Sequence, residues 1–430
     1  MHHTPAQSTT RTAAPPDADP RGYTARVVLA ASVALALTAP GQTAALSVFI
    51  DPLIESLALS RTEVSAAYFV GSLSGAFVLP VLGRAIDRFG PRLIMAAIGA
   101  AFAVFLLASS AVTGLFGLTA AFIGLRVAGQ GALNLVATTT VAVYGHRRRG
   151  FATGLTAAVG TAGISMAPLL LEGLVADFGW QRVWIWEGIA VAAFVLPAAL
   201  LLLPRAPRTA VAPAVADEGT SATSGGPAVS WTLAEAIRTG MFWMVTAGVG
   251  TCSLITTGLT FHLVAVLGER GLSATEAAVT FLPQTLAGLA ASVVLGWLAD
   301  HFSDRALIIA MMAMLAGATA GAGWVQPGWS ALAYGVALGV CANGVRTLEA
   351  VAFPRCFGVG HLGSLRGVVH SGTVAASALG PLLLALGRSW SDSYRPVLLL
   401  LCLLPAAVIL MAAVVRRPPP VPPRRQTATE

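Results

Sequence analysis

The chain has 430 residues, of which 56% are hydrophobic and only 10% charged, and its mean hydropathy is +0.77. Soluble domains carry about 25% charged residues, so two or three soluble domains in a chain of this length are excluded: there is too little charge to cover their surfaces. The net charge of +7 comes from arginine alone; the arginines sit in short loops between apolar runs and form no stripe, which sets nucleic acid aside as a partner.

In chain order, residues 1–26 are polar and read as a disordered cytoplasmic tail. Arg26 followed by an apolar run from Val27 is also how a signal peptide begins. The run continues through Pro40-Gly41-Gln42 to about Ile50, which is too long for a signal core. Twelve apolar stretches of about 20 residues follow one another, at 27–50, 62–82, 93–112, 117–143, 151–175, 183–203, 240–266, 275–297, 306–325, 330–354, 364–387 and 395–415. Stretches this long predict membrane-spanning helices, because backbone groups in lipid have to be satisfied within the segment. The period-two alternation of a transmembrane barrel is absent. An all-α membrane protein of two six-helix bundles is therefore expected, with bundles at 27–203 and 240–415. The stretch 204–239 between them is rich in Ala, Pro, Ser and Gly and predicts a flexible cytoplasmic linker. At its end Thr232 and Glu235 have capping-box spacing, which predicts a short interfacial helix. Residues 416–430 form a basic, Pro-rich tail.

Orientation follows from arginine counting. Of the 26 arginines, 19 fall on the side of the two termini and 5 on the other (Arg61, Arg182, Arg270, Arg388 and Arg395), while Arg126 and Arg346 lie within spans. Excess basic charge marks the cytoplasmic side, so both termini are expected there, in a multi-pass protein of a bacterial cytoplasmic membrane. Cys252, Cys341, Cys356 and Cys402 lie in or at the ends of apolar runs without CxxC spacing and read as small buried apolar residues.

One charged island interrupts the apolar pattern, Gly83-Arg84-Ala85-Ile86-Asp87-Arg88-Phe89-Gly90-Pro91-Arg92, and an offset of 213 brings it onto a second, Gly296-Trp297-Leu298-Ala299-Asp300-His301-Phe302-Ser303-Asp304-Arg305. The offset also places Leu59-Ser60-Arg61-Thr62-Glu63 on Leu272-Ser273-Ala274-Thr275-Glu276, Gly75 on Gly288, Gly131 on Gly344, Pro168 on Pro381 and Arg182 on Arg395. Matched Gly, Pro, Asp and Arg without a gap mean two parallel six-span repeats, a transporter architecture with its ligand expected near mid-membrane between the halves.

The first island, between spans two and three, resembles the loop signature of the major facilitator superfamily. Arg126-Val127-Ala128-Gly129-Gln130-Gly131 is similar to that superfamily's span-four signature, and the resemblance covers about residues 27–415. It implies twelve helices, alternating access and a latch role for the island residues Gly83, Asp87, Arg88, Arg92, Asp300 and Arg305. The second island replaces Arg88 by His301 and Gly90 by Ser303, so the latch is expected to be stronger in the first half. Tyr144 to Gly154, with Gly160 and Gly163, resembles more weakly the monocarboxylate-porter-like and oxalate/formate-antiporter-like members, as do Gly41 and the 47–53 segment. Such carriers often use a basic residue in span one, eight or eleven; here those spans offer Gln42, Gln284 and His370. A known efflux signature on span five is matched only in part, by Ala167-Pro168 and Gly173.

Within the spans, Arg126, Gln130, Asn134 and Thr138 are spaced by four, which places them on one helical face. Arg126 lies 18 residues, about 27 Å, from Tyr144. An intramembrane charge faces a cavity or a partner, so Arg126 reads either as an anion-sensing cavity residue or as a structural arginine bonded to neighbouring carbonyls. On span ten Asn343, Arg346 and Glu349 share a side; the pair either neutralises itself or contacts substrate, with Glu349 the candidate for proton coupling. Asp51, Glu55, Glu172 and Glu187 lie nearer the outer ends and are expected to be solvated or paired between helices. Thr256, His262 and His370 complete the candidate cavity set, with helix packing as the alternative for each. Pro168 and Pro381 are expected to kink spans five and eleven.

Together these residues predict a secondary transporter for a small organic anion, by proton symport or exchange, acting as a monomer with the lipid bilayer, the solute and protons as its partners. Proton-coupled efflux of a drug or secreted metabolite and a transporter-like sensor are the alternatives. No nucleophile–base or metal-ligand set has usable spacing, so neither an enzyme nor a cofactor is expected.

Overall fold

The computed structural model describes residues 20–144, 149–204, 231–358 and 362–415; among these the chain is helical, without a strand. Twelve helices are long and apolar enough to cross a membrane. They are span 1 Ala25–Leu57, span 2 Arg61–Leu79, span 3 Pro91–Ser109, span 4 Leu115–Val141, span 5 Ala152–Phe178 and span 6 Trp180–Leu202. In the second half they are span 7 Gly240–Phe261, span 8 Ala274–His301, span 9 Asp304–Trp324, span 10 Trp329–Phe357, span 11 Leu365–Ser391 and span 12 Tyr394–Val414. The residues around His2 and His3, most of the linker and the basic tail lie outside the described residues.

Three spans are interrupted, each for the same reason. Proline has no N–H and its ring crowds the carbonyl four residues earlier. Pro40, Pro283 and Pro405 accordingly follow helices that end at Ala36, Val279 and Leu401. Pro168 and Pro381, where kinks were expected, lie within helices that run unbroken from Arg149 to Phe178 and from Leu362 to Ser391. Span 4 is irregular in another way: a π-helix, Arg126–Leu133, is set between two α-helical segments.

The repeat read from the sequence recurs atom for atom. Ser60 with Glu63 and Ser273 with Glu276 form the same capping box at the starts of spans 2 and 8, with the serine N–H 2.8 Å from the glutamate in both. Arg92 Nη2 donates to the Leu200 carbonyl (2.6 Å), and Arg305 Nη2 donates to the Ala413 carbonyl at the corresponding place. Each arginine thus places its charge on an orphan carbonyl near a helix end, where the helix dipole favours a cation.

Spans 1–6 and 7–12 enclose separate apolar cores. Two of the described residues cross over: Ala44 of span 1 packs against the second core, and Phe261 of the second half packs in the first, its ring 4.4 Å from that of Tyr68. This contact is part of a seam at the end of the bundle that carries the connections between spans 1 and 2, 7 and 8, and 11 and 12. Across it Ser165 bonds Thr285, Thr275 Oγ1 donates to Glu172 Oε2 (2.7 Å), and Ser65 lies 3.5 Å from His262. At the opposite end, where the chain enters and leaves, the hydrogen bonds and ion pairs among the described residues stay within one half. Trp324, Trp329 and Trp390 are exposed at the sealed end and Trp243 and Trp297 at the other, as membrane-interface belts require.

Candidate functional site

The break at Pro40 places a short 3-10 turn, Ala39–Gly41, in the middle of span 1 beside the π-helix of span 4. The two backbones approach so closely that a Cβ on Gly41 would lie 2.5 Å from the Leu125 carbonyl oxygen and 2.9 Å from Gly129 Cα. Glycine is therefore required there. Non-helical backbone at membrane depth persists only where protein or a cavity surrounds it, and π-bulges collect at functional sites.

Arg126 occupies this junction and is only 5% exposed. Its Nε donates to Ser72 Oγ (3.0 Å), and its Nη1 donates to the Gly41 carbonyl (3.1 Å) and to Thr43 Oγ1 (3.3 Å). Its Cζ stands 4.7 Å from the centre of the Tyr68 ring, whose hydroxyl is 2.7 Å from Thr43 Oγ1. A desolvated guanidinium over an aromatic face gains about 2 kcal/mol. Nη2 makes no hydrogen bond among the described residues, and no carboxylate lies within 4.0 Å of the group.

Span 4 carries its four polar residues along the π-helix and the α-helical segment that follows it. Arg126 turns into the bundle, Gln130 and Asn134 are half-buried, and Thr138 is exposed. Gln130 Oε1 is buried without a hydrogen-bond partner among the described residues. Gln42 spans the break in span 1 through Nε2 to Thr38 Oγ1 (3.0 Å).

In the second half Arg346 and His370 are exposed although both lie well inside spans. Arg346 is within electrostatic reach of Glu349, His370 and Cys252. No ion pair within 4.0 Å joins Arg346 to Glu349. Glu349 instead lines a small apolar pocket with Val245, Val249, Ile308 and Met312, between spans 7, 9 and 10. Asn343 lays its amide against Gly288, and Gln284 sits half-buried at the same crossing of spans 8 and 10, where its carbonyl meets Gly339. Thr256 bonds its own helix, at the Cys252 carbonyl (2.7 Å). His262, 1% exposed, is in the seam rather than beside Arg126.

Of the acidic residues nearer the sealed end, Asp51 pairs with Arg61 and Glu172 accepts from Thr275. Glu187 Oε2 is buried with no partner among the described residues, as is Trp184 Nε1 one turn away.

The charged islands differ between the halves. In the first, Arg88 is exposed over the Phe89 ring (5.3 Å), and the side chain of Asp87 lies outside the described residues. In the second, Arg355 joins Asp304 (3.1 Å), Asp300 (3.3 Å) and the Ala299 carbonyl (2.7 Å). The offset of 213 pairs Arg355 with Ala142, so the arginine of this clamp is not repeated in the first half. Residues 145–148 of the span four–five motif lie outside the described residues.

Sequence reasoning missed Tyr68, Ser72 and Thr43 as the partners of Arg126, and Arg355. Ser65, Tyr68 and Ser72 follow one another at helical spacing on span 2, and that polar stripe was the available signal.

Two parallel six-span bundles with an irregular, charged junction at mid-membrane are the architecture of a secondary transporter. The profile of the Major Facilitator Superfamily matches residues 31–355 and 271–430. The chain belongs to that superfamily and is a multi-pass membrane transporter, not an enzyme. Among solved structures it is similar to a bacterial homolog of the human lysosomal transporter Spinster, in an inward-facing, unoccupied conformation, with TM-score 0.68 and 16% identity over 92% of this chain and 96% of that one. A variant of the nucleoside transporter NupG gives TM-score 0.73 and 12% identity over 90% and 99%. The occupied inward-facing form of the Spinster homolog gives 0.66 and 17% over 94% and 100%. Among the curated proteins none matches the chain.

Proposed function

We propose that this protein moves a small organic anion across a bacterial cytoplasmic membrane by alternating access, driven by proton symport or exchange. One observation carries the reading: Arg126 is a buried guanidinium that, among the described residues, has no carboxylate within 4.0 Å and an Nη2 that makes no hydrogen bond. Charges within a membrane pair with a partner or face the substrate path, and a guanidinium fork matches a carboxylate. Arg346, exposed inside span 10, adds a second cation on the other bundle; an exposed arginine at that depth faces water rather than lipid. With the arginine-rich side inside, the sealed end is external and the molecule is inward-facing, the conformation of the Spinster homolog it resembles. Glu349, within electrostatic reach of Arg346 on span 10, is the acidic candidate for proton coupling.

Labelled organic acids offered to proteoliposomes test this. Uptake should be accelerated by an imposed pH gradient or by counter-substrate. Export of a cationic dye without organic-acid flux in either direction would replace the reading with drug efflux.

A further inference from the structure

His262 is a buried polar group of the seam. Span 7 stops at Phe261, and His262 leaves the helix at φ −97 and ψ 14. It is 1% exposed and touches three other spans. Nε2 lies 2.9 Å from the Pro381 carbonyl on span 11 and 3.5 Å from Ser65 Oγ on span 2, in the other half. Nδ1 lies 3.2 Å from Tyr394 Oη on span 12.

These partners fix the state of the ring. A carbonyl only accepts, so Nε2 carries hydrogen. Ser65 gives its own hydrogen to the Arg61 carbonyl (2.8 Å) and turns lone pairs toward Nε2. Nδ1 therefore accepts from the Tyr394 hydroxyl, and the neutral imidazole satisfies every bond it makes. Beyond Tyr394 lies a vestibule of about 520 Å³ between the halves, lined by Asp51, Arg61, Glu269, Arg388, Asp392 and Tyr394. At this end of the elements around His262 the other charged and titratable groups are Glu63, Tyr68, Arg270 and Arg395; Arg366 and His370 lie farther along span 11. The carboxylates are engaged: Asp51 by Arg61, and Glu269 by Arg388 (2.6 Å) and by the Tyr394 N–H (3.1 Å). Asp392 lies 3.6 Å from Arg388. None is free to neutralise a new cation in the seam.

We propose that His262 is the proton-linkage site of the gate between the two bundles, and that protonation at Nδ1 from the vestibule, relayed by Tyr394, opens it. The Nδ1 lone pair forms a bond to the Tyr394 hydroxyl hydrogen as the O–H bond breaks and leaves its electron pair on the tyrosine oxygen. The tyrosine oxygen takes a proton from a hydronium ion in the vestibule, which leaves as water. The imidazolium then points an N–H at a hydroxyl that had been donating, and carries a charge in a dry seam whose nearest cations, Arg61 and Arg388, repel it. A buried cation without a partner costs several kcal/mol, and hydration of the ring by parting the halves removes that cost. Acid on the vestibule side thus favours the state open to that side, which is the order of events a symporter needs. The assignment of that side as external rests on the reading given above; the response of the gate to pH does not.

The test uses the full chain in lipid nanodiscs without substrate, with Cys252, Cys341, Cys356 and Cys402 replaced by Ser and spin labels at Thr62 and Ala274, which line the vestibule from the first and the second half. Between pH about 8 and about 5 the labels should pass from a short to a longer distance population. His262→Gln keeps an N–H for the Pro381 carbonyl but cannot ionise, and should hold the short distance throughout. A pH-independent distance in the protein with His262 intact, or the same opening midpoint in His262→Gln, would overturn the proposal. Both outcomes are read without organic-acid flux, so a failed substrate assignment leaves this test intact.

Discussion

Replacing Arg126 by Gln separates its structural from its transport role. The substitution removes three hydrogen bonds from a charged donor, to Ser72, Gly41 and Thr43, and one ring contact with Tyr68. At about 1.5–3 kcal/mol for each hydrogen bond and about 2 for the ring, the gross loss is roughly 6–11 kcal/mol. It also removes a buried charge, which returns several kcal/mol, and glutamine restores one bond. A net destabilisation of roughly 2–4 kcal/mol remains, or a fall in Tm of roughly 5–15 °C for a bundle of this size. If Nη2 also holds the anion, one charge-assisted contact is lost, and KM for the organic acid should rise about 10- to 150-fold. Thermal unfolding in detergent and flux per folded protein in proteoliposomes measure the two effects. Arg126→Lys keeps the charge without the fork and should fall between. A lowered Tm with unchanged KM would refute the anion assignment and leave Arg126 a structural residue.

Gly380→Ala should lower Tm by several degrees, because the new Cβ would lie 2.0 Å from the Leu254 carbonyl oxygen where spans 7 and 11 cross, and overpacking of this kind costs about 1–3 kcal/mol; Gly372→Ala on the same helix, with nothing within 4 Å, is the silent control. Asp87→Asn should slow transport more than Asp300→Asn, since Arg355 keeps Asp304 and the Ala299 carbonyl when Asp300 is neutralised; equal rates would remove the asymmetry. Glu349→Gln should abolish acceleration by a pH gradient while exchange persists, and a variant that still responds to the gradient would exclude Glu349 from coupling.

Much of the fold was legible because lipid leaves few options. Long apolar runs must be helices, and a fixed offset between two charged islands gives the repeat. The site was less legible for two local reasons. The π-helix after Leu125 leaves no mark in the four-residue spacing of Arg126, Gln130, Asn134 and Thr138, so the irregularity that seats Arg126 beside Gly41 was not read. The partners of Arg126 come from spans 1 and 2, more than fifty residues away in sequence, and the polar stripe on span 2 does not say which span it faces. His262 was visible as an intramembrane histidine, but its place in the seam depends on how the halves close. The clamp at Arg355 was hidden for another reason: the offset sets Ala142 opposite Arg355, so the internal comparison that exposed the islands passed over it.

Alternating access requires the sealed end to open once in every cycle. Ser165 and Thr285 touch across the seam on spans 5 and 8, close enough for cysteines there to meet disulfide geometry. In the cysteine-free background, Ser165→Cys with Thr285→Cys should cross-link on oxidation, abolish flux, and regain it on reduction. Transport at the full rate by the cross-linked protein would contradict the account.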